Sequence, residues 1–432
     1  MNWFLDLSLV DGWLLPTLVA LGLLAMIWLV SVWSRRFLVL VVPTVAAVSV
    51  LAVLLAHWII DGALKIFPEP VPTMIYVWSG VILFGVLLAI VRIIAPRPAG
   101  ATASLTGRII SAVAMVAVIA AGMAQINAVT GKYPTIRTLV GAQHVETTDL
   151  PARQGSHAVR LEKWRAPSGL PEHGRVATVP IPATASGFTA RPAKVYLPPA
   201  YFAAQRPVLP VIVLIAGQPG SPDDWLLSAG IADTLDEFAA RHHGVTPIVI
   251  AADGTGTELG NPLCMDSRLG NVDTYLSTDL AEWARNSLDA ETDRKKWAVG
   301  GLSCGGTCAL QLVTNHPDMY SVFLNMSGQW EPTLGDRNRT VSAAFGGNAA
   351  AFTAVNPVDL MRTRKYPDVA GVFLVGADDH AYRPGLERVY RVANESGMNV
   401  RFDTIPGGHD FTVWDKGFRK ELPWLAQRIG IG

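Results

Sequence analysis

The segment Lys296-Trp-Ala-Val-Gly-Gly-Leu-Ser303-Cys-Gly-Gly-Thr-Cys-Ala-Leu-Gln-Leu-Val313 carries most of the architectural information in this chain. Its apolar first part reads as a buried strand, and the stretch from Thr307 reads as a helix. Between them Ser303 has a glycine at each ±2 position, Gly301 and Gly305. A strand that turns this sharply into a helix holds the serine in a strained conformation. A side chain at either flanking glycine would collide with the neighbouring strand or helix. This arrangement, a nucleophile elbow, lifts a hydroxyl out at the end of a sheet.

Two further stretches supply partners in the order that this arrangement requires. Val369-Ala-Gly-Val-Phe-Leu-Val375 reads as a buried parallel strand, and it runs into Gly376-Ala-Asp378-Asp379. A helix over 384–396 and a strand over 400–405 follow, and then comes Gly407-Gly-His409-Asp410. The order Ser, acid, His predicts that His409 takes a proton from Ser303 while a carboxylate fixes the imidazole tautomer. Asp379 is the preferred acid and Asp378 the alternative, because a Gly-x-x-Asp turn carries the later residue off the strand end. Two backbone N–H groups must meet the developing oxyanion. Cys304, directly after the nucleophile, supplies one. Gln218 supplies the other, from the turn Gly217-Gln-Pro-Gly220 that ends the strand 208–216. Pro219 has no N–H to give.

From about residue 160 onward the chain resembles the esterase D group of α/β-hydrolases, which includes the secreted mycolyltransferases (antigen 85 complex) of mycobacteria. The strings that carry the resemblance are Thr274-Tyr-Leu-Ser-Thr-Asp-Leu-Ala-Glu-Trp283, Gly301-Leu-Ser-Cys-Gly-Gly-Thr-Cys-Ala309, Gly407-Gly-His-Asp-Phe-Thr-Val-Trp414 and Leu422-Pro-Trp-Leu425. The resemblance covers about two thirds of the chain. It implies an α/β-hydrolase fold with a mostly parallel central sheet and helices on both faces. It further implies Ser303 as nucleophile, His409 as base, and Gln218 and Cys304 as oxyanion donors, acting on acyl esters without a cofactor. The mycolyltransferases proper are free secreted proteins, and in this the present chain departs from them.

The departure lies in the first third. Four apolar stretches, 13–33, 37–60, 74–94 and 109–129, are each long enough to cross a hydrocarbon core. The first leads straight into three more, so it reads as a span and not as a cleaved signal. Pro16 and Pro43 fall inside these stretches, which membrane helices tolerate. Trp13, Trp33, Trp58 and Trp78 lie at span ends, as interfacial residues do. Arg35 and Arg36 lie between the first two spans, and Arg92, Arg97 and Arg108 cluster around the loop between the third and fourth. The positive-inside rule then places both termini and the hydrolase domain outside the cytoplasm, although Lys132 and Arg137 count the other way. His57, beside Trp58 and Asp61, reads as an interfacial histidine. The expected organisation is a four-helix transmembrane domain over 1–130, a linker over 131–155 and an extracytoplasmic esterase domain over 156–432.

Three cysteines, Cys264, Cys304 and Cys308, all fall in the expected outer domain. One bridge, between Cys264 and Cys308, leaves Cys304 to present its N–H. It presumes that the strand ending near Asp253 lies beside the elbow strand. No C-x₂-C or neighbouring histidine supports a metal site. Lys and Arg number 35, Asp and Glu 35, and no basic stripe exists, so nucleic acid is not an expected partner. The expected function is a membrane-anchored serine esterase acting on acyl esters of cell-envelope lipids. A transferase handing the acyl group to a sugar hydroxyl shares every one of these residues. An inactive envelope scaffold would be expected to have lost one of them, and the spans lack the charges of a transporter. Acyl length, acceptor and oligomeric state are not legible. The segment 330–357 reads as a cap with Gly346 and Gly347 as its hinge.

Overall fold

The computed structural model describes residues 3–31, 34–94, 105–142 and 145–432, so Trp33 and Arg97 lie outside the described residues. The chain forms two compact units, Met1–Ala142 and Gln143–Gly432. The stretch read as a linker is divided between them, and it is tied down on both sides of the division. In the first unit Thr135 caps the short helix Ile136–Leu139, and Arg137 pairs with Asp6 at 2.8 Å. In the second, the N–H groups of Gln154 and Gly155 donate to the Asp289 carboxylate at 2.9 Å each.

The first unit contains α1 (Leu14–Val30), α2 (Val42–His57), α3 (Thr73–Ile94) and α4 (Leu105–Thr130). Widened turns extend α2 at both ends into a 27-residue helix, Phe37–Ala63. The first widened turn, Phe37–Val41, precedes Pro43, whose missing N–H interrupts the regular ladder. This helix, α3 and α4 are long and apolar enough to cross a membrane. The first stretch is different: α1 has 17 residues, about 25 Å of rise against a core of about 30 Å, so a fourth span is not shown.

Packing in this unit follows small residues. Gly22 of α1 faces Ala121 of α4, Gly122 faces Ile82 of α3, and Gly85 faces Val118. Close backbone approach of this kind supplies van der Waals contact where no hydrophobic drive separates helix from lipid. The outward faces are apolar as well: Leu24 is 63% exposed and Leu51 65%. At the C-terminal end of α1, Arg92 of α3 donates to the carbonyls of Trp28 and Leu29 and lies over the Trp28 ring. It thereby satisfies acceptors that a helix end leaves open.

The second unit is built on nine strands: β1 (Glu146–Thr147), β2 (Arg175–Val179), β3 (Ala193–Leu197), β4 (Val211–Ile215), β5 (Ile248–Ala252), β6 (Trp297–Leu302), β7 (Val322–Met326), β8 (Ala370–Gly376) and β9 (Asn399–Ile405). Their order across the sheet is β1-β2-β3-β5-β4-β6-β7-β8-β9. The sheet is parallel except for β3, which runs antiparallel to both its neighbours. Strands β4 to β8 are buried throughout, which suits their continuous Val, Ile and Leu content.

One strand neighbour differs from expectation. The elbow strand β6 pairs with β4 and β7, while β5 lies beyond β4. The chain winds outward from β4 to β5 and then returns past β4 to wind the other way through β6, β7, β8 and β9. The reversal between β4 and β6 is a topological switch point, where the loops after adjacent strand ends diverge and leave a crevice. Right-handed crossovers on the two sides of such a point place helices on opposite faces. Helix α5 (Ile231–Arg241) packs with the C-terminal helix, and Trp225 meets Phe418 there at 6.0 Å. Helix α6 (Cys304–Asn315) packs on β6 and β7 with the helix Pro357–Thr363, which in turn meets α7 (Arg383–Glu395).

The segment 330–357 builds a small core of its own, where Leu263 and Met265 pack with Val341, Ala344 and Phe352. Gly346 there is a left-handed C-cap (φ 60°) that ends the helix Arg337–Phe345.

Candidate active site

Ser303 stands at the end of β6 with φ 53° and ψ −125°, outside the regions that side chains ordinarily occupy. Two contacts enforce this. A Cβ on Gly301 would overlap the Gly305 carbonyl, and one on Gly305 would overlap the Ile215 carbonyl of β4. The backbone is held from below as well, since Ser303 N–H donates to the Met326 carbonyl at 2.8 Å. Cys304 is the first residue of α6, so its N–H belongs to the positive end of that helix.

His409 reaches Ser303 from the loop after β9. Its Nε2 lies 2.9 Å from Ser303 Oγ, and its Nδ1 lies 2.8 Å from Asp379 Oδ2. Register explains the convergence. Gly376 and Ile405 pair at the ends of β8 and β9, and beyond them Ala377 N–H donates to Ile405 and Asp378 N–H to Gly407. Of the two acid candidates the structure brings Asp379 to the imidazole. Asp379 is 3% exposed, whereas Asp378 is solvent-exposed. The free oxygen of Asp379, Oδ1, accepts from Tyr382 N–H at 3.1 Å.

Three residues that motif reading does not single out hold the histidine. Tyr382 stacks on the imidazole, with centroids 3.8 Å apart, and Trp414 meets it edge-on at 5.0 Å. Asp410 is the N-cap of α8 (Phe411–Arg428). Its Oδ1 accepts from Val413 N–H at 3.0 Å, and its Oδ2 accepts from Gly408 N–H at 2.8 Å. The backbone on both sides of His409 is thus fixed by one carboxylate. The signal for Asp410 was present as an Asp immediately before an apolar helical pattern.

The loop after β4 passes beside Ser303. Trp297 to Gly301 pair with Val211 to Ile215, and a Cβ on Gly217 would come 3.1 Å from Ser303 Cβ. Gln218 follows, joined to Pro219 by a cis peptide bond. Its side-chain amide donates to the Leu259 carbonyl at 2.8 Å, and Gly220 N–H donates to the Glu258 carbonyl at 3.0 Å. Arg191 clamps this loop from the other side. Its Nη2 donates to the Gly220 carbonyl at 2.9 Å, to Asp253 Oδ1 at 2.8 Å and to Thr255 Oγ1 at 2.6 Å. Burial disfavours the charge on Asp253, yet the bonds from Arg191 and from Thr255 N–H outweigh it and hold the carboxyl below its usual range.

Cys264 and Cys308 are joined by a disulfide with a Cα–Cα distance of 5.4 Å, and Cys304 is not part of it. The bridge anchors the 254–267 region to α6. It forms although β5 does not adjoin β6. Among the described residues no group of three or more His, Cys, Asp or Glu is arranged to hold a metal ion.

Set beside known proteins, residues 189–425 match the family described as "Putative esterase", more than half of the chain. An uncharacterized protein of Corynebacterium glutamicum is 37% identical over 444 residues, covering 100% of both chains. The structure is similar to an S-formylglutathione hydrolase from Agrobacterium tumefaciens (TM-score 0.51, 14% identity, 60% of this chain and 97% of that one). It is also similar to MPT51 of Mycobacterium tuberculosis (TM-score 0.39, 16% identity, 58% of this chain and 97% of that one). The sheet, with its switch point and elbow, is that of an α/β-hydrolase. The chain belongs to this esterase family and is a serine hydrolase or acyltransferase.

Proposed function

We propose that the chain is a membrane-anchored serine esterase that cleaves acyl esters of envelope lipids through an acyl-enzyme on Ser303. The observation that carries this reading is the hydrogen-bonded run Ser303–His409–Asp379. Ser303 Oγ attacks the ester carbonyl as His409 Nε2 takes its proton, and the carbonyl electrons move onto oxygen. The N–H groups of Cys304 and Gln218 meet that oxyanion. The carbon–oxygen bond to the alcohol then breaks, and the imidazolium returns its proton to the leaving alkoxide. Water repeats the sequence to release the acid. Asp379 keeps Nδ1 protonated and offsets the charge on the imidazolium. Arg191 acts at one remove, by holding the loop that carries Gln218.

The anchor is read as the four apolar helices of residues 1–130, joined through 131–155 to the esterase domain over 156–432. Arg35 and Arg36 between the first two helices, and Arg92, Arg97 and Arg108 around the connection of the third and fourth, support a cytoplasmic side for those connections and an extracytoplasmic side for the esterase domain. The Cys264–Cys308 bridge supports that side, because such bonds persist in oxidising compartments. Replacing water by a sugar hydroxyl in the second half-reaction gives the transferase reading, which uses the same residues. A scaffold without activity is disfavoured by an intact hydrogen-bonded run.

The test uses the full-length protein in detergent. Ser303→Ala should abolish both cleavage of acyl esters and labelling by a fluorophosphonate probe, with the thermal midpoint unchanged. Undiminished labelling would assign the nucleophile elsewhere. Product analysis with and without trehalose separates free acid from acylated sugar. In intact cells, an impermeant thiol reagent should label a cysteine introduced near Gly155 and not one near Arg97; the reverse pattern would invert the topology.

A further inference from the structure

A groove of about 550 Å³ runs between α2 and α3, lined by Ala46, Val53, His57, Tyr76, Gly80 and Phe84 among others. Small side chains create it. At Gly80 even a methyl group would come within 3.2 Å of Val53, so the space beside that position exists only because glycine is there. From Ala46 to His57 the groove follows α2 for about 16 Å. Apart from Ser49, whose hydroxyl donates to the Val45 carbonyl, its walls are aliphatic and aromatic until the last turn, where the chemistry changes.

At that end His57 Nδ1 lies 3.0 Å from Asp61 Oδ2, and the Tyr76 ring stands edge-on to the imidazole at 5.1 Å. Tyr76 is only 9% exposed, it lines the groove, and its hydroxyl makes no hydrogen bond within 3.5 Å, although the Asp61 carboxylate stands beside it. A buried hydroxyl without a partner is costly, and more so among apolar walls. With its Nδ1 proton directed at Asp61, His57 has an acceptor at Nε2. The polar end therefore offers one hydroxyl donor without a close acceptor, one acceptor, and a carboxylate that repels anions.

We propose that this groove binds a single acyl chain of a neutral ester lipid. The ester carbonyl accepts from the Tyr76 hydroxyl, and a hydroxyl on the alcohol part donates to His57. The Asp61 carboxylate selects against a phosphate-bearing head of the same chain length. The site draws on the membrane reading of these helices and not on catalysis at Ser303. It gives the helical unit a role in recruiting the class of compound that the esterase reading requires.

The test takes the full-length Ser303→Ala chain in phosphatidylcholine nanodiscs, so that turnover does not enter the readout. Two photoactivatable probes share one diazirine-bearing acyl chain: a monoacylglycerol and a lysophosphatidate. Crosslinks are mapped by mass spectrometry. The monoacylglycerol should be captured within 46–84 at least fivefold more than the lysophosphatidate. Gly80→Leu, which fills the groove, should lower that capture about tenfold. Tyr76→Phe, which removes one oxygen and keeps the ring, should lower it several-fold and erase the preference between the probes; it stands alone if Gly80→Leu does not fold. Equal capture of the two probes, capture indifferent to Tyr76→Phe, or crosslinks outside 46–84 would overturn the proposal. Crosslinks joining α2 or α3 of two copies would overturn it too, as they would make the groove a contact between chains.

Discussion

Tyr382 lies flat on the imidazole of His409, 16° from parallel at 3.8 Å, while its own N–H donates to the carboxylate that His409 uses. One residue therefore covers the face of the proposed base and orients its proposed acid. A ring face attracts a cation, and an imidazolium formed during attack is such a cation; the gain is ~1 kcal/mol at a partly open site. Tyr382→Leu should accordingly reduce kcat about fivefold, with KM less affected. Tyr382→Phe should stay close to the native rate. Equal losses in both variants would place the effect in the hydroxyl instead of the ring.

The two acids at the end of β8 are separable by mutation. Asp379→Asn should lower kcat by on the order of 10³–10⁴, since the imidazole would lose the group that fixes its tautomer. Asp378→Asn should change it less than twofold, because that side chain faces solvent. Single-turnover hydrolysis of a chromogenic ester distinguishes them, and reversed effects would move the acid role to Asp378.

Arg191 ties the loop carrying Gln218 to the end of β5. Losing one oxyanion donor outright costs about 10²–10³ in kcat. Arg191→Met should loosen that donor without removing it, and a fall of about tenfold in kcat with little change in KM is expected. A rise in KM alone would show that Arg191 serves substrate binding. The clamp also has an acid limit. The Asp253 carboxyl is held below its usual range, so its contribution is complete above about pH 4 and is lost as pH falls through its lower folded value. Wild type should lose thermal stability steeply in that acid window, and Arg191→Met should lose it less steeply.

His316 predicts the opposite slope. It follows the last turn of α6, where its Nε2 lies 2.7 Å from Asp273 Oδ2. That hydrogen bond raises its pKa, against an opposing effect of burial. A raised histidine stabilises fully below its ordinary pKa of about 6.5, and the contribution disappears as pH climbs through the folded value. The thermal midpoint of wild type should therefore drop more between pH 6 and pH 8.5 than that of His316→Gln. Parallel curves would refute the linkage.

What the sequence disclosed, and what it withheld, divides by range. The elbow was legible because its cause is local: a serine between two glycines at a strand–helix junction. The approach of Asp379 and His409 was legible because both follow strands, one buried and one at the sheet edge, whose ends lie together in a parallel sheet. The position of β5 was not, since strand adjacency depends on which way the chain winds after β4, and no residue in β5 encodes that. Arg191 and Tyr382 were hidden for a related reason. Arg191 lies just before β3, far along the chain from the loop it holds, and Tyr382 looks like any helix-start aromatic until the β9 loop folds over it. In the first unit apolar composition alone could not fix where a helix stops, and α1 ends at Val30, short of the expected boundary.

On the proposed membrane reading, the outward-facing leucines and valines of the first unit also determine the units in which substrate is counted. In a bilayer those side chains confine the protein to a film, where an ester of low water solubility is encountered by lateral diffusion. Its effective concentration is then a mole fraction of the surrounding lipid. Adding inert lipid would slow the reaction even at constant bulk amounts of protein and ester, and adding buffer would not.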